Sequence, residues 1–223
     1  MSQPFDTPEI NDNRYYNYEK FSATERIEYP IITELIEPDS KVIDLGCGNG
    51  SLLEKLISEK NVAGTGIEIS KSGVEACLKK KLNVREGKID EVLPFDDNSF
   101  DYAICNVTMQ MVMYPEILMK EMKRIATYQV ISFPNFAYWK NRFDLLIHGR
   151  MPKPMLFGYE WYSTGHIHQL SIRDFEKISE NFNLKIIRAV PIQRSGNPVI
   201  QFLIKTFPNL FSLENVFLLQ KEI

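Results

Sequence analysis

Apolar residues along this chain fall into short runs that alternate with stretches of helical period. Lys41–Leu45, Asn61–Ile69, Asn83–Glu86, Phe100–Asn106 and Tyr128–Phe133 are such runs, bounded by turn residues, and they read as buried strands. Between them lie Ser51–Lys60, Lys71–Lys81 and Pro115–Ala126, which read as helices. In the last of these Ile117, Leu118, Met122 and Ile125 share one face. Strands alternating with helices of about 10–15 residues indicate βαβ units, hence an α/β fold with a mostly parallel sheet and helices on both faces.

The flanks extend this pattern. Thr24–Ile36 is helical in period through Ile27, Ile31, Ile32 and Leu35, with Pro30 inside it, so a helix either starts there or kinks there. Residues 1–22 are polar, with Asn and Tyr concentrated in Asn11–Tyr18, and read as an N-terminal arm. After the fifth strand come a helical pattern over Phe136–Gly149 and a proline-containing loop over Arg150–Gly158. A capping box at Ser171–Asp174 then opens a helix to about Phe182. Leu184–Ile192 and Glu214–Gln220 bring the sheet to seven strands. The apolar stretch Asn197–Phe211 between them has room for a short helix but not for a full crossover, so the last strand is expected to be antiparallel. Met151, Met155, Leu156, Phe157 and Trp161 make the proline-containing region too apolar for a linker. The expected organisation is an arm, 1–22, followed by a single domain, 23–223.

Composition narrows the class. The chain has 223 residues, of which 44% are hydrophobic, enough to bury a sizeable core. A net charge of −3 lacks the basic surplus of a nucleic-acid binder. No apolar run nears the ~18 residues of a membrane span, and Met1–Asp6 lacks the basic and apolar regions of a signal peptide. Cys47, Cys77 and Cys105 are odd in number, scattered, and each inside an element or turn. They read as buried free thiols rather than a disulfide framework, which makes a cytoplasmic location the expectation.

The chemistry concentrates after the first strand, in Asp44-Leu-Gly46-Cys47-Gly48-Asn-Gly50. Three alternate glycines permit positive φ and close approach of a ligand to the backbone, at an entropic cost that a plain turn would not need. The helix that follows offers N–H groups and a partial positive charge at its start. The spacing is not that of a dinucleotide fingerprint, because the third glycine of that pattern would fall at Leu53. Nor is it a P-loop, since Ser51-Leu52 supplies no Lys-Ser/Thr. Asp-x-Gly-x-Gly-x-Gly resembles the first motif of class I S-adenosylmethionine (SAM) methyltransferases. That resemblance implies that Asp44, Gly46, Cys47, Gly48 and Gly50 wrap the methionine end of SAM or of S-adenosylhomocysteine. Glu68, with Ile69 beside it, ends the second strand about 20 residues on, where a carboxylate can bond ribose hydroxyls; a solvated strand-end carboxylate is the alternative.

After the third strand the resemblance implies an acidic residue against the adenine amino group. Lys88 stands there instead, which leaves Asp90 or the backbone of Ile89 for that contact, or a surface lysine of no role. Asn106, at the end of the fourth strand, is placed near the reacting sulfonium, with Gln110 one helical turn on. Methyl transfer depends chiefly on approach and alignment, so it need not leave a catalytic signature, and no nucleophile or acid pair marks another chemistry. His166-Ile-His168 puts two histidines on one face of an extended segment, but no third ligand is evident and no metal is expected.

Ser132-Phe-Pro-Asn-Phe136, Gly149-Arg-Met-Pro152, Glu160-Trp-Tyr162, Ile167-His168 and Ile172-Arg-Asp-Phe-Glu176 follow in that order. Together with Asp44–Gly48 they resemble the MetW family of methionine biosynthesis proteins, from about Lys41 to Phe182. The resemblance implies a SAM-type site and a partner, homoserine O-acetyltransferase, which such proteins are thought to support. The alternative is a SAM-dependent methyltransferase acting on a small molecule. The apolar region from Phe136 to Trp161 is the candidate partner surface.

Overall fold

The computed structural model describes residues 26–153, 166–192 and 196–222. The expected arm, the loop segment 154–158 and Glu160-Trp161-Tyr162 lie outside the described residues. The elements are α1 (Glu28–Leu35), β1 (Lys41–Leu45), α2 (Ser51–Lys60), β2 (Ala63–Glu68), α3 (Lys71–Lys79), β3 (Val84–Glu86), β4 (Phe100–Asn106), α4 (Pro115–Ile125), β5 (Ala126–Pro134), α5 (Trp139–His148), α6 (Ile172–Asn181), β6 (Leu184–Ile192), α7 (Pro198–Thr206), α8 (Pro208–Phe211) and β7 (Glu214–Lys221). The strands form one sheet in the order β3-β2-β1-β4-β5-β7-β6. β1 to β5 pair in parallel, and β7 runs antiparallel between β5 and β6. The expected α/β architecture and antiparallel last strand are therefore both present.

The period of two along each strand divides the core. Ile43 and Leu45 of β1, Ala103 and Cys105 of β4, Ile131 and Phe133 of β5, and Phe217 and Leu219 of β7 pack on one face. There they meet Leu118, Met119, Met122 and Ile125 of α4 and Ile172 and Phe175 of α6. Val42, Tyr102, Ile104, Val130 and Val216 point to the other face, against Ile32 and Leu35 of α1 and Leu52 and Leu56 of α2. Phe133, Phe175 and Phe217 form an aromatic knot, with centroids 4.9, 5.4 and 4.7 Å apart.

Local chemistry sets the boundaries. Pro30 lies in the first turn of α1, where its missing N–H would have had no helical partner, so the helix starts just before it and does not kink. Asn61 adopts positive φ and closes α2, which moves the start of β2 from the expected Asn61 to Ala63. The capping box of α6 is complete: the Ser171 hydroxyl accepts from Asp174 N–H, and the Asp174 carboxylate accepts from Ser171 N–H at 3.1 Å. α5 starts at Trp139 rather than Phe136 because the intervening residues are held elsewhere. Asn135 N–H donates to Leu213 O, Phe136 N–H to Leu170 O, and the Asn135 amide to the carbonyls of Asn209 and Ser212.

Replacing Phe175 by Ala removes the centre of the aromatic knot. Denaturant unfolding is expected to show a loss of about 3–5 kcal/mol with an unchanged m-value. A loss below about 1 kcal/mol would place the core elsewhere.

Candidate functional site

At their carboxyl ends β1, β2 and β4 lie side by side, with β1 between β2 and β4, the place at which a sheet of this kind opens a crevice. The glycine turn leaves β1 at this end. Gly46, Gly48 and Gly50 have φ of 81, 57 and 73°, the left-handed values that the sequence pattern anticipates. The turn is pinned to the next strand: Gly46 and Cys47 N–H both donate to Ile67 O, and Gly50 N–H donates to Cys47 O. A β-carbon on Gly46 would stand 2.6 Å from Thr108 Cγ2, so only glycine admits the chain leaving β4 this close.

Glu68 ends β2 as expected, and it is buried. One carboxylate oxygen accepts from Gly48 N–H at 2.8 Å and the other from Ser70 N–H at 2.9 Å. The carboxylate thus ties the glycine turn to the start of α3, a structural task that sequence spacing does not reveal. Gly73, in the first turn of α3, was not a sequence candidate. A β-carbon there would stand 2.8 Å from Gly48 O and 2.9 Å from Glu68 Cγ, so α3 can approach the turn only through a glycine. Cys77 donates its thiol to Gly48 O at 3.3 Å. A hydrogen bond with Cys77, together with burial, raises the Cys47 thiol. All three cysteines are free and buried, as their spacing suggested.

Asp44 is buried beneath the turn, and its Oδ1 has no hydrogen-bond partner. Burial pushes its carboxyl up to about 7, the nearby Glu68 adds to the shift, and the Arg26 guanidinium opposes it. Arg26 enters just ahead of α1, forms an ion pair with the buried Glu28, and lies over the Tyr29 ring at 5.9 Å. Asn106, at the end of β4, donates to Glu28 Oε1 at 3.3 Å and accepts from the Ser132 hydroxyl at 2.5 Å. The next residue, Val107, has φ of 54°, an unusual value for a β-branched side chain. It is held there by N–H bonds to both the carbonyl and the hydroxyl of Ser132, each 3.0 Å. Strain of this kind clusters at functional sites. No local sequence signal marks Val107, Arg26 or Glu28 as belonging to this crevice.

The adenine-side candidates are placed differently. Ile69 is half-buried at the start of the β2–α3 connection. Lys88 is exposed, and Ile89 buries its side chain in the core. The Asp90 carboxylate accepts from Met113 and Tyr114 N–H at 2.9 and 3.1 Å, which ties it to the approach to α4. Gln110 is buried; its side-chain amide donates to Pro134 O, and its backbone carbonyl accepts from Ile167 and His168 N–H. His166 packs on Phe136, and His168 lies 3.4 Å from Met113 O. Among the described residues no group of three or more His, Cys, Asp or Glu side chains could hold a metal ion. No helix of the described residues is long and apolar enough to cross a membrane.

With this geometry in view, comparison with known proteins is informative. The family model for "Methionine biosynthesis protein MetW" matches residues 26–219. The chain belongs to the MetW family. The match reaches beyond both ends of the resemblance visible in the motifs, taking in α1 and the strands β6 and β7. A bifunctional methionine biosynthesis protein, MetXA/MetW, of Rhodopirellula baltica is 34% identical over 173 residues. That alignment covers 73% of this chain but only 28% of the relative, so the MetW chain spans about a quarter of the relative's length. Among solved structures, a chain from the complex of the Haloferax volcanii Trm112 methyltransferase activator with a methyltransferase superposes with a TM-score of 0.67 at 16% identity. That superposition covers 93% of this chain and 95% of the other. A SAM-dependent methyltransferase from Thermotoga maritima gives 0.62 at 17% identity, covering 92% and 94%. At such identities these structures establish the fold.

Asp44 makes a pH-dependent prediction. Below about pH 4 the group is protonated folded or unfolded. Between about 4 and about 7 the native state keeps the proton that the unfolded chain has released, so this group's contribution to stability falls as pH rises. Asp44→Asn mimics the neutral acid. The variant is expected to gain on the parent by a few kcal/mol across that window, then hold a constant advantage above it. Paired denaturant titrations from pH 4 to 8 test this, and a pH-independent difference would show that Asp44 does not titrate there.

Proposed function

We propose that this MetW-family chain binds SAM or S-adenosylhomocysteine in the crevice above β1, β2 and β4 and supports homoserine O-acetyltransferase in methionine synthesis. The observation that carries the reading is family membership, joined to a relative whose name places MetXA and MetW in one bifunctional protein. The site supports the ligand half. Asp44 Oδ1 is a buried acceptor without a partner, suited to the ligand's ammonium group. The preformed glycine turn leaves backbone rather than side chains against the methionine end. Glu68 shapes that turn and stands at the strand end where ribose hydroxyls are bonded in crevices of this kind. Ile69, the Ile89 backbone and Asp90 are the candidates on the adenine side, and Asn106 is the candidate near the sulfonium.

When bound, SAM would supply an electrophilic methyl group. Among the described residues, those around Asn106 supply hydrogen bonds and a strained backbone, and methyl transfer by alignment alone would ask for no more than that. Family membership and the MetXA/MetW relative, rather than the site's chemistry, favour a supporting subunit over a methyltransferase with a small-molecule acceptor. We place the partner surface on the outer side of α5 and the residues after it. Phe143, Leu145, Leu146, Ile147 and Met151 are exposed there, whereas Phe136 and Tyr138 are buried and belong to the scaffold. Of the apolar stretch expected from sequence, this sets aside Phe136 and Tyr138, while residues 154–161 lie outside the described ones. A location in the cytoplasm fits the three free thiols.

Calorimetric titration of the purified chain with SAM and with S-adenosylhomocysteine tests the ligand half. Gly48→Val is expected to abolish binding while leaving the far-UV spectrum and a cooperative melt in place. Binding by an intact Gly48→Val protein would rule out the turn as the site. For the partner half, Leu146 is 83% exposed, so Leu146→Asp should leave stability within about 0.5 kcal/mol. It is expected to weaken association with purified homoserine O-acetyltransferase at least about tenfold without changing SAM binding. Unchanged association would move the interface off α5. Transfer of the methyl group to a purified metabolite at useful rates would favour the methyltransferase reading.

A further inference from the structure

Two of the three buried thiols meet beside the glycine turn. The proposed binding of SAM asks nothing of either sulfur. Cys47 lies inside the turn, between Gly46 and Gly48. Cys77 comes from α3, shares a hydrogen bond with Cys47, and donates to Gly48 O at 3.3 Å. Two glycines clear the space around the sulfurs. A β-carbon on Gly66 of β2 would stand 2.7 Å from Cys47 Sγ, and one on Gly50 would stand 2.9 Å from Cys77 Sγ. The third thiol, Cys105, packs separately in the core on the α4 face of the sheet. A pair of free thiols in contact, one of them part of the ligand turn, is chemistry that packing alone does not require.

We propose that Cys47 and Cys77 are a dithiol switch, in which oxidation to a disulfide by a low-molecular-weight disulfide disables the glycine turn as a ligand site. This rests on the reading that the turn holds SAM. The Cys47 thiolate attacks one sulfur of the oxidant, breaks its S–S bond and releases a small thiolate. The Cys77 thiolate then attacks the Cys47 sulfur and releases the second. Two electrons pass from the pair to the oxidant, and the two thiol protons finish on the small thiolates. Cys47 is 8% exposed and Cys77 0%, so Cys47 meets the oxidant first. The hydrogen bond from Cys47 lowers the Cys77 thiol, which suits Cys77 to the second attack. A disulfide draws the sulfurs from hydrogen-bonded contact to about 2.05 Å. It also removes the S–H that Gly48 O accepts. α3 has no clearance to take up that closure, because Gly73 already lies against Gly48 O and Glu68. The turn itself has to move, and with it the N–H bonds from Gly46 and Cys47 to Ile67 O.

The test equilibrates the native chain with graded ratios of reduced and oxidised glutathione and reads thiol state and SAM affinity on the same samples. Mass spectrometry of alkylated, unreduced digests is expected to find peptides joined through Cys47 and Cys77, with Cys105 still a thiol. Calorimetry is expected to find SAM bound about tenfold or more weakly by the oxidised chain, with affinity restored by dithiothreitol. Reciprocally, saturating SAM should make the pair harder to oxidise by the same factor, about 30 mV for each tenfold. Cys77→Ser keeps a donor for Gly48 O. Checked for a native melt, it should bind SAM equally in reducing and oxidising buffer, whereas Cys105→Ala should respond as the parent does. Thiols that stay reduced across the series, or a Cys47–Cys77 disulfide that leaves SAM affinity unchanged, would overturn the proposal while leaving the crevice a SAM site. Oxidant sensitivity that persists in Cys77→Ser would likewise overturn it. Failure of the fully reduced parent to bind SAM would refute the SAM site, and the switch with it, whatever the thiols do.

Discussion

The Glu68 carboxylate is the joint on which the crevice depends. It accepts one N–H from the glycine turn and one from the residue that caps α3, so it fixes two consecutive βα units relative to each other. Each of its partners then constrains another. Ser70, bound through its own N–H, turns its hydroxyl to accept from Gly73 N–H and starts the helix. Gly73 allows that helix to lie against Gly48 O, and Cys77 one turn later donates to the same carbonyl. Charge-assisted bonds to backbone amides are stronger than neutral ones, and these two are shielded from water. Loss of the carboxylate would leave buried amides without acceptors, apart from any effect on the proposed ligand. A purely ribose-binding role would understate what this residue does.

A second layer of organisation comes from the sheet order. Because β7 runs antiparallel between β5 and β6, its first residues, Glu214 and Asn215, arrive at the same end as the last residues of β5. That end also receives Arg26 and Glu28 from the approach to α1 and Asn106 from β4. The apolar faces of the strands hold the helices, while the strand ends collect polar side chains that no single segment could keep buried alone. The strained Val107 belongs to this collection. Its two bonds to Ser132 come from the neighbouring strand, so the conformation is imposed by β5 rather than chosen locally.

The sequence made the scaffold legible for a physical reason: runs such as Phe100–Asn106 and Tyr128–Phe133 bury both faces, and such runs with turn residues between them carry few alternatives. The glycine turn was equally legible, since Gly46, Gly48 and Gly50 occupy positions where the observed φ excludes most other residues. Boundaries set by competition were not. Asn61 could have extended β2 or closed α2, and its left-handed conformation settled that in favour of the helix. Phe136 has the periodicity of α5, but tertiary bonds from Asn135 and to Leu170 hold it outside the helix. On the adenine side the sequence offered Asp90 as a replacement for an acid at Lys88. The structure turns that carboxylate toward Met113 and Tyr114, a long-range pairing that no motif encodes. Gly73 was invisible because a helical glycine carries no signal until its neighbour is known.

The buried acids and the marginal stability of a domain pull in opposite directions. Asp44 is held near the middle of its titration at neutral pH by burial and by Glu68, and Arg26 relieves only part of that. A well-packed apolar residue or an amide would sit more comfortably at this position in the ligand-free chain. Such an arrangement makes sense when a ligand supplies what the fold withholds. On the proposed reading, a cationic ligand relieves the cost and adds its binding free energy to the stability of the native state. The same link would make the α1 segment, through Arg26 and Glu28, sensitive to occupancy. The ligand's charge would then reach beyond the glycine turn by way of carboxylates that share one guanidinium, with no moving domain required.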